Sequence, residues 1–191
     1  MKHPDWKIHT VSSDGKTKLY SRITDKGLLG LKSVATMREH MADILYGATD
    51  FAYKIRFDPT FESGQVLYDL PLESNISYMK YKKVLVVSPR DLIVAGRTHR
   101  VSETEVWLIA KSYVLDSHPP YKGIVRAEFP TGGWRFKQKE PARDGQKPLL
   151  KVTFHSEADF KISMFLMKSM GPKSGHITDI FSRYAEKFPL D

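Results

Sequence analysis

From Gly64 to Phe160 the sequence is a succession of short β-branched and aromatic runs, each closed by turn residues, with no helical stretch between them. The runs predicted as strands are Gln65–Leu70, Ser74–Lys82, Leu92–Val101, Glu105–Tyr113, Gly123–Phe136 and Leu149–Phe160. Pro71, Ser88-Pro89, Ser102-Glu103, His118-Pro119-Pro120 and a polar stretch from Lys137 to Pro148 separate them, which is turn chemistry. Parallel neighbours need long crossover segments, so connections this short imply an antiparallel meander. A sheet of six or more such strands curls strongly, and a curled sheet has an inside.

The flanking segments supply the rest of the architecture. Two strands are predicted around Lys18–Ile23 and Leu28–Thr36, joined by the turn Asp25-Lys26-Gly27. Met37, Met41, Ile44 and Leu45 share one helical face, which predicts a helix over Met37–Tyr46 with Gly47 as its C-terminal cap. Phe51–Pro59 reads as irregular, aromatic and basic. At the far end Ile177, Ile180, Phe181, Tyr184 and Phe188 form an amphipathic stripe, interrupted upstream by Gly171-Pro172. A helix with such a stripe, following a curled sheet, is expected to pack into its concave side. The reading is a single α+β domain over residues 1–191, expected to be a monomer.

Composition narrows the function. Lys and Arg outnumber Asp and Glu by 30 to 22, a formal charge of +8, which favours anionic surfaces or ligands. With no cysteine, disulfides, thiolate metal sites and cysteine nucleophiles are excluded. Met1–Trp6 contains no apolar stretch of signal-peptide type, and no window approaches the roughly 18 apolar residues of a membrane span. A cytoplasmic protein, peripheral to membranes, is expected.

Two stretches place charges at the edge of apolar strands, where burial is costly. They are Ser88-Pro89-Arg90-Asp91-Leu92-Ile93-Val94 and Gly123-Ile124-Val125-Arg126-Ala127-Glu128. The first resembles the G/S-P-R-D-F-V motif of StAR-related lipid transfer (START) domains, and the second resembles their G-V/I-I/V-R-A-E motif. Asp159-Phe160-Lys161 and Trp6-Lys7-Ile8 are similar to the family's strand-closing and N-terminal motifs. The set runs in family order along nearly the whole chain.

The resemblance implies a helix-grip fold: a curved antiparallel sheet wrapped around a long C-terminal helix, with a lipid-sized tunnel between them. It implies a carrier of one lipid, with no cofactor and no metal. A phospholipid such as phosphatidylcholine is favoured; a sterol or sphingolipid carrier, or a lipid sensor, is the alternative. Phosphatidylcholine-carrying members have an arginine four residues before the aspartate of a W-D motif, where it contacts the lipid phosphate. Here that motif is Phe57-Asp58 and the offset falls on Lys54, which can hold phosphate as a point charge. Sterol carriers often have an arginine facing the tunnel from the S-P-R-D strand. By motif count that position is Gly96, so Arg97 beside it reaches inward only if a bulge shifts the register.

The expected lipid contacts are therefore Lys54, Asp58, Tyr78, Arg97, Trp107, Phe154, Ile177, Phe181 and Tyr184, the aromatics as tunnel wall with polar handles. A basic-then-apolar loop, Lys82, Lys83, Val84, Leu85 and Val86, is expected to act with Met164 and Lys168 as a lid docking transiently on anionic membrane. Asp91 and Arg126 read as groups engaged in structural ion pairs or hydrogen bonds rather than in ligand contacts. Other classes find little support. No nucleophile elbow, metalloprotease helix or P-loop appears, leaving a cyclase-like enzyme in the same cavity as a remote alternative. No RNA-binding aromatic motif or helix-turn-helix is present and the basic residues are spread along the chain, so no nucleic-acid partner is expected.

Overall fold

The computed structural model describes residues 6–84 and 87–162. They form a ten-stranded sheet with two short helices on one face. The strands are β1 (Lys7–Val11), β2 (Thr17–Ile23), β3 (Leu29–Arg38), β4 (Phe61–Leu70), β5 (Ser74–Tyr81), β6 (Arg90–Ser102), β7 (Glu105–Ser112), β8 (Val125–Arg126), β9 (Glu128–Glu140) and β10 (Leu149–Asp159); the helices α1 (Met41–Thr49) and α2 (Phe51–Phe57) lie between β3 and β4. In space the order is β1-β2-β3-β10-β9-β7-β6-β5-β4. After β3 the chain crosses through the helices to the far edge, then meanders back until β10 docks against β3.

The antiparallel expectation holds for these neighbours, with one correction. Gly123–Phe136 is not a single strand. Val125 and Arg126 pair in parallel with Arg90 and Asp91, Ala127 breaks the run at 1% exposure, and β9 then starts at Glu128. The apolar pattern is continuous across that break, so periodicity alone does not reveal it.

The helical region also shifts. Met37 ends in β3, paired with Leu150, although its side chain joins Ile44 in the same core as the helical spacing predicts. Gly47 lies inside α1 rather than capping it. The segment predicted as irregular contains α2, because the Asp50 side chain accepts a hydrogen bond from the Tyr53 amide at 2.7 Å and caps a new helix. Strand β1 was not foreseen: it is an edge strand, mostly exposed, with no apolar face to betray it.

Cross-strand partners share a face of a sheet. Ala35, Val152, Phe136 and Val106 form one such row, and Ser33, Phe154, Trp134 and Leu108 the next. Ile44 and Tyr53 pack on the first row with Met37 and Leu150, which fixes this as the helix-bearing, inner face. Phe136 and Val152 are 0% exposed there. Truncating Phe136 to alanine would cost about 3–5 kcal/mol.

Candidate functional site

The inner face changes character along the strands. Beyond the large apolar rows comes a row of small side chains: Ser156, Gly132, Ala110, Gly96 and Asn75. Ser112, Val94 and Ser77 follow it. Ser77 is 4% exposed and donates to Asn75 Oδ1 at 3.0 Å. At Gly132 the Phe129 ring packs where a side chain would otherwise stand, a Cβ there lying 2.2 Å from its Cζ. Only Gly96 of this strip was singled out from the sequence; a period-2 pattern shows that positions share a face, not which face is inside.

A charged corner adjoins the β4–β5 end of the same face. Tyr81 pairs with Arg90 across strands, in line with Leu92 and Val94, and Phe61 is its partner on β4. Lys54, on the last turn of α2, reaches over Phe61 with its Nζ 5.1 Å from the ring centre. Its ammonium lies 3.0 Å from Asp58 Oδ2, and both side chains are largely buried. Asp58 Oδ1 accepts from the Thr60 hydroxyl at 2.6 Å and the Thr60 amide at 3.1 Å. Burial alone would push the Lys54 ammonium down, but Tyr81 and Asp58 outweigh it and hold it above its usual range. Burial would likewise raise the Asp58 carboxyl; Lys54 and Thr60 win and hold it below the usual carboxylate range. Both groups therefore stay charged.

Of the expected lid, Lys82 touches this corner. The Lys82 amide donates to Thr60 O at 2.8 Å and its ammonium to Pro59 O at 3.3 Å, while Lys83 is exposed. Val84 and Val87 exchange amide hydrogen bonds at 3.1 and 2.9 Å. Leu85, Val86, Met164, Lys168, Ile177, Phe181 and Tyr184 lie outside the described residues.

Three expected tunnel residues are elsewhere. Trp107 pairs with Arg135 and His99, a register that puts it on the outer face. Its indole donates to Glu105 Oε1 at 2.7 Å, and the Arg135 guanidinium sits 5.6 Å from its ring. Arg97 is exposed on the same face, because β6 runs without a bulge past Gly96 and Arg97. Tyr78, opposite Ile93, also faces outward; it bonds Asp91, and burial and that carboxylate push its phenol up to about 12. Phe154 does lie on the inner face, 4.7 Å from Trp134 between ring centres.

The two motifs meet on the outer face as a structural lock. Arg126 Nε and Nη2 donate to the two oxygens of Asp91 at 2.7 and 3.0 Å, and Asp91 is 0% exposed. Arg90 points to the inner side, and its guanidinium donates to the carbonyls of Phe160 and Ser88. The adjacent charges of the motif thus serve opposite faces, as alternation requires. At the other end of β6, α1 and the β6–β7 hairpin bound a half-open cleft of about 670 Å³, lined by Met41, Leu45, Tyr46, Arg100 and Val106. Among the described residues no helix is long and apolar enough to cross a membrane, and no cluster of His, Asp and Glu is arranged to hold a metal ion.

No family model and no curated protein matches the chain by sequence. Solved structures do match. Human StAR-related lipid transfer protein 5 superposes with a TM-score of 0.85 at 13% identity, over 99% of this chain and 90% of that one. Human STARD10 gives 0.79 at 18% identity, over 97% of this chain and 74% of that one. A STAR-related lipid transfer protein from Xanthomonas axonopodis gives 0.72 at 14% identity, over 95% and 99%. With the ordered motifs and the sheet topology in place, the chain has the START helix-grip fold.

Proposed function

We propose that this protein binds a single phospholipid, phosphatidylcholine-like in its headgroup, against the inner face of the sheet and carries it between membranes. The observation that carries the reading is the buried, charged Lys54–Asp58 pair beside the inner face of the sheet in a START fold. Lys54 takes the lipid phosphate as a point charge, and Asp58 beside it meets the cationic end of a zwitterionic headgroup. Bilayer and apolar interior each keep the acyl chains from water, a gain of about 25 cal/mol per Å² in either place, so neither environment is strongly preferred and exchange is reversible. The outward position of Arg97 supports a phospholipid over a sterol. Carriage makes and breaks no covalent bond.

Lys82, Lys83 and Val84 adjoin the headgroup corner, so docking there would bring the bilayer to the place where the headgroup enters. Each basic residue near an anionic surface contributes about 1 kcal/mol. Transfer of fluorescent phosphatidylcholine between anionic vesicles is the test. Wild-type protein should accelerate it, and Lys82→Glu with Lys83→Glu should slow it. Acceleration unchanged by the double variant would remove the docking role, and no acceleration by wild type would remove the carrier reading.

A further inference from the structure

The fold brings a subset of the dispersed basic residues onto the outer face of the sheet. On the outer face, Lys18, Val34, Thr153, Arg135, Trp107 and His99 line up across six neighbouring strands. A parallel row runs Tyr20, Lys32, His155, Gly133, Ile109 and Arg97, and Lys151 and Lys111 belong to the same face. At the usual spacing of neighbouring strands the rows extend roughly 24 Å. The two carboxylates set among them are already engaged: Glu157 by Arg22 at 2.6 Å, and Glu105 by Arg135 at 2.8 Å and Lys137 at 3.0 Å. Among the described residues no carboxylate lies within ion-pair distance of Lys18, Arg97, Lys111 or Lys151, all exposed. Burial, followed by the nearby Lys151 and Arg22 charges, holds the Lys32 ammonium below its usual range. Between the cations, Trp107 is 38% exposed and Ile109 45%.

We propose that this outer face docks an acidic segment of a partner protein, its carboxylates meeting Lys18, Lys151, Arg97 and Lys111 and its apolar residues meeting Trp107 and Ile109. Two observations favour that occupant. Ring faces that nucleobases would need for stacking already carry cations: Arg135 on Trp107, Lys32 on Tyr20 at 4.7 Å, and Arg22 and Lys32 on Trp6 at 5.0 and 4.9 Å. A membrane held here would lie on the side of the sheet away from the headgroup corner, an argument that rests on the carrier reading. A polypeptide on the outer face leaves lipid exchange undisturbed, so tethering and transfer can run together. Such a contact is governed by complementary charge and weakens with salt.

The test uses the full chain and three probes: a fluorescent peptide of repeating Glu-Glu-Leu, a fluorescent single-stranded oligothymidine, and vesicles containing phosphatidylserine. The peptide should bind at low salt, and raising salt to roughly 0.3 M should weaken it at least about tenfold. Arg97→Glu with Lys151→Glu should weaken it by a similar factor, with the melting temperature unchanged because both side chains are exposed. Arg97→Gln with Lys151→Gln serves as a milder variant in case the reversals disturb folding. An unbound peptide, or binding indifferent to both variants, overturns the proposal. So does a preference of the same face for oligothymidine or for vesicles, read as loss of that binding in the charge-reversed protein. Native mass spectrometry of the same samples reports lipid occupancy, so failure of the lipid reading and failure of this one are separate results.

Discussion

Arg126 grips Asp91 through two parallel hydrogen bonds, joining the start of β6 to the segment that precedes β9. The pair sits on the outer face, on the opposite side of the sheet from the Lys54–Asp58 pair, so it holds the sheet together. Arg126→Leu leaves the buried Asp91 carboxylate uncompensated, at an expected cost of about 3–5 kcal/mol in urea unfolding. A loss below about 1 kcal/mol, the range of an exposed pair, would contradict the structural assignment.

Gly133 lies where β7, β9 and β10 crowd together. Its φ is 146°, and a Cβ there would stand 1.8 Å from Leu108 O. Backbone cannot yield as a flexible side chain can, so Gly133→Ala is expected to abolish cooperative thermal unfolding or lower the melting temperature by more than about 10 °C. A melting temperature within a degree or two of wild type would show that the three strands do not approach so closely.

Glu105 is held down to about 2 by hydrogen bonds from Arg135, Trp107 and Lys137. Its folded value lies below its unfolded value, so the unfolded chain binds the proton more readily between the two. The stability it contributes is present above about pH 4.5 and is lost as pH falls toward 2. Glu105→Gln should therefore flatten the dependence of melting temperature on pH across that window. Parallel wild-type and variant curves there would contradict the bonding pattern.

For Lys54, the headgroup reading predicts a graded series. Lys54→Met should lower phosphatidylcholine occupancy at least about tenfold, the scale of one hydrogen bond to a charged group. Lys54→Arg should keep occupancy, since arginine binds phosphate at least as well. Equal occupancy in all three proteins would remove Lys54 from the site.

The sheet was readable because its strands alternate and its turns are punctuated; β2, β5, β7 and β10 fall within a residue or two of expectation. Where reading failed, the missing information was three-dimensional. Gly123–Phe136 looks continuous because the break at Ala127 is set by pairing with β6, not by a turn residue. Tyr78 and Trp107 are aromatics on half-buried strands, and nothing local distinguishes an aromatic packed inward from one covered by an arginine outside. The resemblance pointed to Lys54 and Asp58, and the structure pairs them. The outer basic surface was invisible in the sequence because Lys18, Lys151 and Arg97, on β2, β10 and β6, come onto one face only when β10 docks between β3 and β9.

The central claim is that the inner face holds one phospholipid. Native mass spectrometry of the protein purified gently from cells tests it most directly. The expected spectrum shows a one-to-one adduct with the mass and fragment ions of a choline phospholipid, depleted in Lys54→Met. A sterol adduct, or a lipid-free chain that also takes up no phospholipid from vesicles, would contradict the account.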